Sequence, residues 1–66
     1  MTRQTDIHRY LIRLRHEFSG LTDGSHKQIG LRNVRDGLRI AAGNPLAAAQ
    51  HAAIAAYHLP HAEAVR

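Results

Sequence analysis

Ala41-Ala42-Gly43-Asn44-Pro45-Leu46 holds the stop signal of one helix beside the start signal of the next. Gly43 follows an apolar-periodic run, and a residue without Cβ takes the left-handed conformation that closes many helices. Asn44 is a favoured cap, because its side-chain oxygen accepts a hydrogen bond from an otherwise orphaned amide. Pro45 then suits the first helical position, where its missing N–H has no partner to lose. So short a link folds the two helices back on each other, predicting an antiparallel hairpin.

On the N-terminal side of the junction, a helix is predicted over 26–42, best supported from Leu31. Leu31, Val34, Leu38 and Ala41/Ala42 form its apolar seam, and Arg32, Arg35 and Arg39 form a basic stripe beside it. Asp36 stands four residues from Arg32, the spacing of a helical ion pair. Gly30 and Gly37 each cost about 1 kcal/mol relative to Ala in a helix interior. They share a flat side with Val34 and Ala41. Either another helix approaches closely there, or Gly30 precedes the helix and Gly37 is merely tolerated.

On the C-terminal side, a helix is predicted over 45–58, with Leu46, Ala49, Ala53, Ala56 and Tyr57 as its packing side. Alanine is the best helix former, so propensity alone supports this element. Pro60 is expected to end it or to open one last turn through Ala62-Glu63-Ala64, with Val65-Arg66 frayed.

Upstream, Ile7, Leu11, Leu14 and Phe18 recur at helical spacing on one face, with Tyr10 at its edge, predicting a first helix over 6–18 capped by Thr5 or Asp6. Arg9, Arg13 and His16 lie on the opposite face, and Arg15 and His8 to one side. Two glycines among Ser, Thr and Asp make 19–25 a loop, with Gly20 ending the first helix, Ser25 as a cap for the second, and Thr22 or Asp23 as caps for a shorter helical turn before it. The expected fold is all-α: one three-helix domain, the first helix lying across the hairpin of the other two.

Sixty-six residues sit near the lower limit for folding alone. Without cysteine, neither disulfides nor thiolate metal sites add stability. A homodimer, or a larger partner that completes the core, is therefore expected. Ile12, Ile40 and Ile54 fall off the main seams, one on each helix, and with Gly37 they are the candidate interface residues. The alternative for the isoleucines is ordinary scattered surface apolars.

Nine Lys+Arg stand against five Asp+Glu, giving +4 with six neutral histidines, and eight of the nine cations are Arg. Guanidinium forms forked bonds to carboxylate and phosphate, so acidic partners are favoured. Arg9, Arg13, Arg32, Arg35 and Arg39 are the candidate residues for an acidic protein surface or a phosphate backbone. The preferred reading is a cytoplasmic regulator, adaptor or inhibitor that binds protein, and the alternative is a weakly specific nucleic-acid binder. A helix-turn-helix reading fits poorly, since only Asn44, Gln50 and His51 near the start of the third helix suit base edges.

Several classes are disfavoured. No apolar run approaches the roughly 18 residues of a membrane span, and His8, Arg9, Arg13 and Arg15 interrupt the only candidate leader. Two loop serines and scattered carboxylates form no catalytic pairing, and no phosphate loop follows a strand, so neither an enzyme nor a small-molecule substrate is expected. Nor do the histidines make a metal site by spacing. His51 and His58 are seven apart, Pro60 separates His58 from His61, and His8 and His16 lie on different sides of one helix. No cofactor is expected.

Overall fold

The computed structural model describes the backbone of residues 4–64 and the side chains of residues 6–64. It contains α1 (Gln4–Ser19), α2 (Ser25–Ile40) and α3 (Pro45–Ala64), arranged as the all-α three-helix domain expected. α3 packs most extensively against α2, and α1 touches both. Thr5 and Asp6 lie inside α1 and are not its caps, and the expected fraying of Val65-Arg66 falls outside the described residues.

All four seam residues of α1, Ile7, Leu11, Leu14 and Phe18, are buried. Leu11, Leu14 and Phe18, with Val34 of α2, are the largest fully enclosed side chains, and the rest of the buried core is Ile7 and alanine. The flat side of α2 receives them, since Gly30, Val34, Gly37 and Ala41 are all buried. A Cβ on Gly30 would stand 2.5 Å from Phe18 Cε1 and 2.7 Å from Cε2. One on Gly37 would meet both Leu11 Cδ atoms at 3.1 Å and His51 Cβ at 3.3 Å. Close approach is therefore the reason for both glycines. It takes place within the chain, which leaves Gly37 no surface to offer a partner.

The turn departs from expectation in one respect. α2 stops at Ile40, whose carbonyl accepts from Gly43 N at 3.1 Å and Asn44 N at 2.8 Å, and Gly43 does not adopt positive φ. Ala41 keeps helical angles, φ −58° and ψ −36°. Pro45 is the stop, because its ring disfavours the helical region for Asn44 before it. Asn44 caps α3 as expected, its Oδ1 accepting from Ala47 N at 3.1 Å. Asn44→Ala is expected to cost about 1 kcal/mol, lowering the thermal midpoint by about 4–8 °C. Circular dichroism melting checks this, with Asn44→Asp retaining the midpoint.

At the other end of α2, Gly24 is the extended cap residue and offers no side-chain bond, so Ser25 begins the helix and does not cap it. Lys27 steadies this end by donating to Leu21 O at 2.8 Å and pairing with Asp23 at 3.0 Å.

α3 is rotated from the packing side expected of it. Ala48, Ala52, Ala55 and Ala62 are buried, Ala49 and Ala56 flank them, and Leu46, Ala53 and Tyr57 are exposed. The buried side of α3 is lined by alanines, with the His51 Cβ the α3 atom nearest a Cβ placed on Gly37. The helix also runs through Pro60. Proline removes one backbone bond there, yet Ala62 beyond it is buried and His61 stacks on His26 of α2. These contacts hold the last turn in register.

Candidate functional site

Two pairs of side chains, Asn33 with His51 and His26 with His58, close the hairpin of α2 and α3 by polar contacts. Asn33 Nδ2 donates to Ile29 O at 2.9 Å, which leaves Asn33 Oδ1 to accept from His51 Nδ1 at 2.9 Å. That bond places a proton on His51 Nδ1. Nearer the far end of the hairpin, His26 Nδ1 and His58 Nδ1 are 2.9 Å apart. One donates and the other accepts, so the bond exists only while at least one of the rings is neutral. His61 stacks on His26 with ring centres 5.0 Å apart, and Tyr57 meets His58 edge-on at 5.2 Å. Continuation of α3 through Pro60 puts His58 and His61 three positions apart on one helix, where both reach His26. A stack brings ring faces together in place of lone pairs. Among the described residues no group of three or more His, Asp or Glu is placed to hold a metal ion.

The arginines fall into two sets. Arg9 and Arg13 line a shallow depression on α1 with Asp6 and Tyr10. Arg32 and Arg35 line another on α2 with Gln28 and Leu31. This second depression adjoins a groove of about 520 Å³ lined by Arg15, Leu31, Arg35, Leu38 and Arg39. The two share Leu31 and Arg35, so the exposed flank of α2 is a continuous concave strip. Arg15 reaches it from α1. The five candidate arginines thus fall on two depressions, Arg9 and Arg13 on one and Arg32, Arg35 and Arg39 along the other, and Arg15, which was not among those five, joins the second set. Its position beside the α1 seam is visible in the sequence, but which neighbour it meets depends on how α1 crosses the hairpin.

The floor of the groove is apolar and its rim is cationic. Leu31 and Leu38 are half-buried and pack against the core. Asp36 pairs with Arg39 at 3.5 Å across an exposed three-residue spacing, not with Arg32. Arg32 and Arg35 have no hydrogen-bond or ion-pair partner among the described residues. Two unpaired guanidinium groups beside leucine side chains can bind an anion and an apolar group together.

The candidate interface residues are dispersed. Ile40 is half-buried against the core, Ile12 is half-buried, and Ile54 is exposed. The leading turn of α3 offers little to a base edge, because Asn44 caps its own helix and His51 is bonded to Asn33. No helix among the described residues is long and apolar enough to cross a membrane. No protein-family model matches the chain, and neither the curated proteins nor the solved structures yield a match.

Proposed function

We propose that this chain is a non-enzymatic, cytoplasmic binding protein that captures an acidic, leucine-bearing segment of another protein in the α1/α2 groove. The observation that carries the reading is the meeting of Arg15 with Arg35 and Arg39 around Leu31 and Leu38. An amphipathic helix with two apolar side chains one turn apart and carboxylates on either side matches that pattern: the apolar pair covers the floor while the carboxylates meet the rim. The rim charges speed encounter and select for acidic segments, and the leucines resist dissociation. Duplex nucleic acid fits less well. Its backbone offers phosphates without an apolar ridge, and the leucine floor would lie unused beneath it.

The test is fluorescence anisotropy with a labelled synthetic peptide bearing leucines at i and i+4 flanked by glutamates, competed by a mixed-sequence DNA duplex. Binding should be saturable, and Arg15→Gln/Arg35→Gln should weaken it about tenfold, equivalent to about 1.4 kcal/mol. Equal affinity for the version of the peptide carrying Gln in place of Glu would sink the proposal. So would tighter binding to the duplex that is abolished by Arg32→Gln/Arg35→Gln/Arg39→Gln, the result expected of a phosphate-backbone site.

A further inference from the structure

We propose that the outer face of α3 is a self-pairing surface, on which two copies of this chain dock antiparallel about a two-fold axis midway between Leu46 and Tyr57. The surface is separate from the groove and does not depend on it.

α3 is rich in apolar residues on more than its inner side, with Gln50, His51, His58, His61 and Glu63 as its polar positions. Apolar helix faces are ordinarily covered. The inner side of α3 is spent on Ala48, Ala52, Ala55 and Ala62. Its outer side nevertheless carries Leu46, 73% exposed, Tyr57, 66% exposed, and Ile54, 46% exposed. Positions 46, 50, 53, 54 and 57 fall on one stripe at helical spacing. Three of the five exposed large apolar residues of the described chain therefore line one side of one helix.

The charge layout indicates what covers that side. Between Arg39 and Glu63 the sequence contains no Asp, Glu, Lys or Arg, although the chain as a whole carries +4. Two such molecules repel if their α1 or α2 surfaces meet. Pairing through α3 keeps the arginine sets apart and brings together faces that carry no Asp, Glu, Lys or Arg, with His61 beside Tyr57 at one end. A membrane surface is a poorer occupant, since helices that lie in the interface combine their apolar side with Lys and Arg, which this stretch lacks.

A two-fold interface must complement itself: what residue i meets as j, residue j meets as i. In antiparallel pairing about the midpoint of Leu46 and Tyr57, each Leu46 faces the Tyr57 of the other copy, and Gln50 faces Ala53. The two Gln50 side chains then flank the axis. An amide carries both donor and acceptor, so it can bond its own copy. The pairing covers the most exposed leucine with the most exposed aromatic ring and leaves no unpaired charge inside.

Sedimentation of the full chain across a hundredfold concentration range tests the pairing. A species of twice the 7.3 kDa chain mass is expected. Leu46→Glu should raise the dimer dissociation constant at least about thirtyfold while circular dichroism stays unchanged, because the side chain lies outside the monomer core. Leu46→Glu/Tyr57→Lys should regain the dimer, since the introduced charges face each other only between copies. Arg32→Glu should leave the mass alone. A monomer at every concentration, or a dimer indifferent to Leu46→Glu, would overturn the proposal. Failure of the double variant to recover would overturn the antiparallel arrangement.

Discussion

Gly30→Ala is expected to destabilise this protein, although helix propensity by itself favours the change by about 1 kcal/mol. The new methyl group would enter the ring of Phe18, within 2.5–2.7 Å of two ring carbons and nearer still to Cζ. Phe18 is fully buried between α1 and α2, so the ring cannot swing away without displacing its neighbours. Overpacking of a closed site costs up to about 3 kcal/mol, leaving a net loss of about 2 kcal/mol. A chain of this size is stabilised by only about 3–10 kcal/mol in total. Thermal melting should therefore show a midpoint lower by about 10 °C. In a Phe18→Leu background the same glycine substitution should be neutral or stabilising, because leucine does not extend to the space the methyl takes. A higher midpoint for Gly30→Ala in the parent chain would mean that the ring does not lie over the glycine.

Leu11→Ala should have the larger effect, about 3 kcal/mol within the usual range of about 2–5 for a fully buried leucine. Few large side chains share the load, and alanines elsewhere in the core cannot expand into the space. The cavity would open directly over Gly37, where both Leu11 Cδ atoms now stand 3.1 Å from the position of a Cβ. Adding Gly37→Ala to Leu11→Ala is accordingly expected to recover about 1 kcal/mol, by filling part of the void and by improving the helix. In the parent chain Gly37→Ala should gain less, since Leu11 and the His51 Cβ crowd that position. Urea unfolding of the four species gives the coupling as a double-mutant cycle. Additive effects would show that Leu11 and Gly37 do not touch.

Much of this architecture is legible in the sequence, for reasons visible in single residues. The α1 seam reads cleanly because its apolar positions alternate with charged ones, so periodicity has a direction. Asn44 acts through its side-chain cap on Ala47 N and Pro45 through its own ring, and neither depends on distant contacts. The orientation of α3 is not legible. Its apolar residues fall on several sides, so periodicity does not single out a packing face, and only the tertiary fit decides which one turns inward. Pro60 reads as a terminus because its local cost is plain, whereas the contacts that offset it, Ala62 in the core and His61 on His26, are tertiary. The groove is half legible: Arg35 and Arg39 mark it, but Arg15 and the two leucine floor positions come together only once α1 is docked. The pairing of His26 with His58 spans thirty-two residues and has no local signature.

The alanine seam between α2 and α3 has a thermodynamic consequence of its own. Fixing a buried leucine or isoleucine in one rotamer costs about 0.5–1 kcal/mol, and fixing an alanine costs nothing. Ala48, Ala52 and Ala55 bury little area, but they are ordered as soon as their helix is, with no further freedom to surrender. The alanine part of the hairpin contact thus forms almost without side-chain entropy loss. That loss is concentrated in α1, whose Leu11, Leu14 and Phe18 must each settle into one well as the first helix closes over the other two.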